Sequence, residues 1–184
     1  RFRNVTGVQT CALPILLTGL LAACAAPKVG YDYDASANFG AYHTYTWLLG
    51  KQEPTGDKRV DNSLVDNRIR AAVSARLQAK GYTISANGKP DFYVAYHVAV
   101  KDRMKGSSTQ QYIGDFAYGT FTTISDIHSY NEGDLLVDIV DAGSKQLVWR
   151  GAAQAEVDPG MTPKERDARI NRVIDDMFAH FPPK

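Results

Sequence analysis

The sequence predicts an α+β fold: one antiparallel sheet with two helices packed on one face, in the order strand-strand-helix-strands-helix. Three observations predict it. Two segments, near 63–80 and 163–181, carry apolar residues at three-four spacing behind capping residues, which is the pattern of surface helices. Extended segments rich in alternating apolar, aromatic and threonine residues lie before and between them. Short Asn/Asp/Gly turns join several of these segments, and hairpin-linked strands with segregated helices make an α+β sandwich rather than a parallel sheet.

The chain opens with a leader. An apolar run over 13–23 ends in Leu21-Ala22-Ala23-Cys24. About a dozen residues cannot cross the roughly 30 Å hydrocarbon core as a helix, which takes about 20. A short apolar run closing on small residues reads as a signal peptide, here over 1–23. Cysteine at the cleavage point reads as a lipidation site: the Cys24 thiol takes a diacylglyceryl group and the new amino terminus a further acyl chain such as palmitate. Several chains hold a membrane firmly where one holds it marginally. Ahead of this run, residues 5–15 read as translated sequencing adapter, so Cys11, Pro14 and the Asn4-Val5-Thr6 triplet carry no weight.

Residues 24–30 form a short tether. Tyr31-Asp32-Tyr33-Asp34 alternates as an exposed or edge strand does, and 39–47 reads as a second strand. A polar loop over 49–61 contains Gly50, Pro54 and Gly56. The first helix follows, with Asn62 or Ser63 as cap and Asp66 as an imperfect capping-box partner. Its stripe is Val65, Ile69, Ala72, Val73, Arg76 and Leu77, and Gly81 supplies the left-handed stop. Tyr82-Thr83-Ile84 is extended and Asn87-Gly88-Lys89-Pro90 turns.

Segment 91–100 gives the strongest strand. Phe92, Val94, Tyr96, Val98 and Val100 share one face; Tyr93, Ala95, His97 and Ala99 share the other, so a central strand covered at least partly on both sides is expected. Segment 102–129 has flexible Gly/Ser/Thr/Gln composition followed by spaced aromatics. It is expected to be a functional or disordered loop, with an extra hairpin as the alternative. Residues 135–140 form a buried strand, Asp141-Ala142-Gly143-Ser144 a turn, and 147–157 the partner strand. The second helix has Thr162 as cap, Pro163 at its first position and Glu165 completing a capping box. Its stripe is Ile170, Val173, Ile174, Met177 and Phe181, and Pro182-Pro183 ends it.

Removing residues 1–23 removes Arg1 and Arg3, leaving 19 basic against 20 acidic residues in 161. That length suits a single domain over 31–184, and near-neutrality gives no electrostatic footprint for nucleic acid. With Cys24 consumed by lipid, no thiol remains for a disulfide, for catalysis or for metal. No cofactor is expected.

Tyr31-Asp32-Tyr33-Asp34, Thr44-Tyr45-Thr46-Trp47, Asp91-Phe92-Tyr93-Val94-Ala95-Tyr96-His97, Tyr130-Asn131-Glu132-Gly133, Leu135-Leu136-Val137-Asp138-Ile139-Val140-Asp141 and Leu147-Val148-Trp149-Arg150-Gly151 together resemble the DUF4136 family. The resemblance spans nearly all of 24–184. It implies a bacterial envelope lipoprotein and supplies no catalytic residues.

Candidate chemistry is sparse. Asp126 and His128 with His97 suit zinc in residue type, but Asp126 and His128 share a face only on a strand, and no paired motif supports a site. Ser107, Ser108 and Ser125 lack a nucleophile elbow. Glu132, Asp134, Asp138 and Asp141 with Arg150 form the dense polar set. Asp138 and Arg150 lie on neighbouring strands, so a cross-strand ion pair is expected, with carboxylate acid/base work as the rival. Tyr31, Tyr33, Tyr42, Tyr45, Trp47, Tyr93 and Tyr96 read as half-buried strand packing, or as an aromatic groove for glycan or peptide with Tyr45, Trp47, Tyr96 and Tyr118 as its candidates. The expected role is structural or binding, without catalysis, for a lipid-anchored protein facing the periplasm. Ala25 after the cysteine, not aspartate, implies the outer membrane. The partners expected are the membrane through Cys24 and an envelope protein or glycan. The alternative is an envelope hydrolase using the acidic strand or the Asp126/His128 pair.

Overall fold

The computed structural model describes residues 27–48, 55–86, 88–113 and 120–183. Cys24 and Tyr118 lie outside these. The elements run β1 (Lys28–Tyr33), a 3-10 turn (Phe39–Ala41), β2 (Thr44–Trp47), α1 (Ser63–Ala79), β3 (Thr83–Ile84), β4 (Phe92–Ile113), β5 (Thr120–Asp141), β6 (Leu147–Glu156) and α2 (Pro163–Phe178). The strands form a sheet in the order β1-β6-β5-β4-β2-β3. The fold is α+β as expected, but the sheet is mixed. β1, β6, β5 and β4 are antiparallel neighbours, whereas β2 runs parallel to both β4 and β3. The reason is α1, a helical crossover between β2 and the strands after it. It returns the chain to the end where β2 began, so the next strand runs the same way.

Local chemistry sets the element ends. Asn62 caps α1 by accepting from the Val65 N–H at 3.1 Å. At the start of α2, Thr162 Oγ1 accepts from the Glu165 N–H and a Glu165 carboxylate oxygen accepts from the Thr162 N–H at 2.7 Å, the capping box expected there. Gly81 follows α1 at φ +92°, a conformation open to glycine. Segment 39–47 is not one strand: its first part coils as a 3-10 turn, which aims Tyr42 inward.

Both helices pack on one sheet face. Ile69, Val73 and Leu77 of α1 and Ile174, Met177 and Phe178 of α2 share a core with Tyr45, Phe92, Val94, Val137, Ile139 and Trp149. Each large side chain sealed there contributes about 1.5–3 kcal/mol. Phe92 sits among rings, with centroids of Tyr82 at 5.4 Å, Tyr42 at 5.5 Å and Tyr45 at 5.8 Å. Phe181, beyond the end of α2, folds back 5.2 Å from Trp149. A Cβ on Gly151 would collide with Met177 and Trp149, so only glycine lets α2 seat on β6. Arg68 to Asp167 at 2.5 Å and Arg76 to Asp175 tie the two helices, so Arg76 serves the seam with α2 rather than the apolar stripe.

The opposite face of β4 is partly covered, as expected. Tyr93, Ala95 and Ala99 are half-buried and His97 is exposed. Segment 102–129 extends the central strands instead of forming a loop. β4 and β5 pair continuously over 22 rungs, from Phe92↔Asp141 to Ile113↔Thr120. β6 accompanies β5 only up to Glu132, and β2 accompanies β4 only at Phe92–Val94. The eleven rungs from Arg103↔Tyr130 to Ile113↔Thr120 therefore project beyond the sheet as a two-stranded arm of roughly 35 Å. Of the two readings of 102–129, the hairpin is the one that forms.

Candidate functional site

Glu132, Asp134, Asp138 and Arg150 gather on the sheet face away from the helices, while Asp141 sits opposite Phe92 on the other. β-pairing places Asp138 directly opposite Arg150. Arg150 Nε donates to Asp138 Oδ1 at 2.6 Å and its terminal nitrogen to Oδ2 at 2.7 Å, a two-bond fork. Asp138 is the single charged residue buried among the described residues, at 6% exposure. Its hydrogen bonds hold the Arg150 guanidinium above the ordinary arginine value, against the opposing pull of desolvation. His97 Nε2 stands 4.0 Å from the second oxygen. The expected cross-strand ion pair is present.

The other carboxylates are also engaged. Lys101 reaches Asp134 at 2.9 Å and Arg103 reaches Glu132 at 3.1 Å, each diagonally across β4 and β5. Asp141 belongs to the turn before β6: it accepts from the Ser144 N–H at 2.6 Å and from the Tyr42 hydroxyl at 2.8 Å. The Ser144 backbone bond, with Tyr42 and the Ser144 hydroxyl behind it, holds its carboxyl below the ordinary range. No two carboxylates of the set share a proton site. The face is flat and small-chained beside them, with a shallow depression lined by Lys28, Gly30, Asp134, Leu136, Ala152 and Gln154.

Asp126 and His128 do share a strand face and lie 2.8 Å apart, with side chains 61% and 74% exposed on the arm. His97 pairs with Leu136, eight residues further along β5, so the three never meet. Among the described residues no three His, Cys, Asp or Glu side chains converge on a metal position. Ser107 sits opposite Asp126 and Ser108 opposite Ser125 on the same exposed ribbon, away from any enclosed pocket.

The aromatic candidates separate. Tyr45 is fully buried against Phe92, and no ring face is left for a ligand. Tyr96 is buried, donates from its hydroxyl to Asp66 at 2.6 Å, and meets Trp47 edge-on at 6.3 Å. Arg70 lies 4.7 Å over the Trp47 ring and donates to Asp66 at 2.7 Å, while Trp47 Nε1 donates to Ser74. Burial pushes the Asp66 carboxyl up, but the Tyr96 and Arg70 bonds outweigh it and hold it below the ordinary value. This cluster clamps α1 to β2 and β4. Its signal, Asp66 and Arg70 four apart on a helix, was present in the sequence. Sequence reasoning also missed Asp91, which accepts from the N–H groups of His43 and Thr44 at 2.9 and 2.8 Å and staples β2 to β4.

The model of the family described as "Domain of unknown function (DUF4136)" matches residues 29–183. The chain belongs to the DUF4136 family. Solved structures with a similar fold share little of the DUF4136 chain's sequence. A PDZ domain protein from Parabacteroides distasonis is 12% identical at a TM-score of 0.55, covering 86% of this chain and 36% of that one, so this chain spans about a third of that protein's length. The PelC dodecamer from Paraburkholderia phytofirmans is 8% identical at 0.47, covering 84% and 96%. A homologue of neuraminyllactose-binding hemagglutinin from Helicobacter pylori is 13% identical at 0.37, covering 76% and 83%. No curated protein matches.

Proposed function

We propose that this DUF4136 protein is a lipid-anchored envelope protein with a structural or binding role and no turnover of its own. The observation that carries the second half is the engagement of its carboxylates. Glu132, Asp134 and Asp138 each face a cation and Asp141 is locked in a turn, which suits holding a face in shape rather than cycling protons. The first half rests on the Leu21-Ala22-Ala23-Cys24 box, with acyl chains on Cys24 as the anchor and the outer membrane, periplasmic side, as its place. β1 begins at Lys28 opposite Gln154, which pairs with Asp134, at the sheet end from which the arm departs. Four residues from Cys24 to Lys28 reach at most about 14 Å. Anchor and arm then leave from one end, and the surface offered to an envelope protein or glycan is the polar face continuing into the arm.

Cys24→Ser tests the anchor: the variant loses fatty-acid labelling and leaves the membrane fraction, and unchanged pelleting with retained label sinks the reading. Alanine at Asp138, Glu132 and His128 tests the role. Folding or partner capture changes, while a hydrolytic turnover abolished in a folded variant instead assigns an enzyme.

A further inference from the structure

The arm has two long strand edges, and neither edge has a neighbour among the described residues. Beyond Asn131, whose carbonyl accepts from the Val157 N–H, β5 has no partner but β4. An exposed edge is a row of backbone donors and acceptors, ready to pair with another chain, and proteins that stay monomeric blunt such edges. Charge blunts only the root of the β4 edge, at Arg103 and Lys105, and the other usual devices are missing among the described residues. No proline lies between Lys101 and Asp141. The 22 rungs run without a bulge, and the edges are long rather than short. Past Lys105, β4 runs Gly106-Ser107-Ser108-Thr109-Gln110-Gln111-Tyr112-Ile113, with no charge. A two-stranded ribbon alone in water is marginal, so a ribbon of this length is most stable with strands added to it.

Charge and the length of the free edges point to what those strands are. The β4 side of the arm carries Arg103 and Lys105, and the β5 side carries Asp126 and His128. Pairing β4 of one copy with β5 of the next sets Lys105 toward the edge that carries the Asp126 carboxylate, whereas pairing β4 with β4 sets Arg103 and Lys105 against their own copies. With the arms side by side and pointing the same way, β4 of one copy meets β5 of the next antiparallel, since the two strands run in opposite directions within each arm. Each contact takes the eleven-residue β4 edge of one arm and the eleven-residue β5 edge of the next, so a copy inside the assembly is held along both edges of its arm. Met104 and Ile127, 80% and 67% exposed on one arm face, would be covered in part by the neighbouring ribbon.

We propose that the arm is an assembly element whose partner is a second copy of this chain, the β4 edge of one arm adding to the β5 edge of the next. Such contacts are head-to-tail, so they close into rings or run on as filaments rather than stopping at a two-fold dimer. This inference rests on the arm alone and not on the anchor at Cys24.

Two measurements test it. The full chain, purified in detergent, is weighed by native mass spectrometry beside a variant in which residues 104–129 are replaced by Asn-Gly, a turn that joins Arg103 to Tyr130. Three or more copies for the full chain and one for the shortened chain, with its helical circular dichroism retained, are expected. A monomeric full chain, or an equally large shortened chain, overturns the proposal. The second measurement does not depend on the shortened chain folding. With Cys11 and Cys24 replaced by serine, chains carrying Ser108→Cys and chains carrying Ser125→Cys are mixed and treated with a short bismaleimide. Crosslinks are expected in the mixture and not within either chain alone. Crosslinks within either single population, or none in the mixture, refute head-to-tail arm pairing.

Discussion

Removing Arg150 should destabilise this protein more than removing Asp138. The asymmetry follows from burial. Asp138 keeps 8% of its side-chain surface in water and Arg150 keeps 43%. In Arg150→Met the stem still packs, but a buried carboxylate loses two charge-assisted bonds of 2.6 and 2.7 Å. Breaking a fully buried pair costs about 3–5 kcal/mol. Here water reaches the arginine side, and His97 stands 4.0 Å from one oxygen, so about 2 kcal/mol is expected, near the unsatisfied-group penalty. In Asp138→Ala the freed guanidinium turns outward into water it already touches, and the loss is about 1 kcal/mol. The double variant should match Asp138→Ala, because the penalty in Arg150→Met lives on the carboxylate it removes. Urea unfolding followed by far-UV circular dichroism measures all three. Equal losses in the two single variants, or a double variant equal to their sum, would refute the reasoning and with it the ion-pair reading of this strand.

Three further outcomes are expected. Gly151→Ala forces a methyl into Met177 and Trp149 and should cost about 2 kcal/mol, with part recovered by adding Met177→Ala, read as melting temperatures. Thr162→Ala removes the α2 capping box and should cost about 1 kcal/mol in urea unfolding, whereas Thr162→Ser should be near neutral. Asp91, Asp66 and Asp141 all titrate below the ordinary aspartate value of 3.8 in the fold, Asp91 chiefly through the His43 and Thr44 backbone bonds. Their stabilisation is therefore fully present above pH about 4 and lost as pH falls through the lower folded values. Thermal melts should be flat at neutral pH and fall in acid, and Asp91→Asn should make that acid limb shallower. An unchanged limb contradicts the staple.

The start of the second helix was legible to the residue because its signals are local: Thr162, Pro163 and Glu165 act on their own turn, whereas its end was read too late, Phe181 lying beyond the last helical residue, Phe178. Asp138 and Arg150 were legible because a short turn fixes the register of the strands on either side of it. The direction of β2 was not, since parallel pairing depends on where a crossover returns, and Thr44–Trp47 contains nothing that records it. Tyr45 and Tyr96 looked the same in sequence as groove residues would, because an aromatic ring suits core and ligand alike; Phe92 and Asp66 decided their places. The arm was hidden for a different reason. Hydrophobic alternation reports a face turned to a core, and the described side chains over 101–111 and 125–129 are exposed, so a Gly/Ser/Thr/Gln run with spaced aromatics was all there was to read.

The hairpin also orders events in time. Ile113 and Thr120 are seven residues apart, Arg103 and Tyr130 twenty-seven, and Phe92 and Asp141 forty-nine. Closing the root of the arm directly across twenty-seven residues costs about 1 kcal/mol more chain entropy than closing its tip across seven. The least costly order zips from the tip inward, so ribbon edges exist before β4 and β5 reach the positions against which the helices dock. Newly made chains then present their arms to one another while their cores are still open.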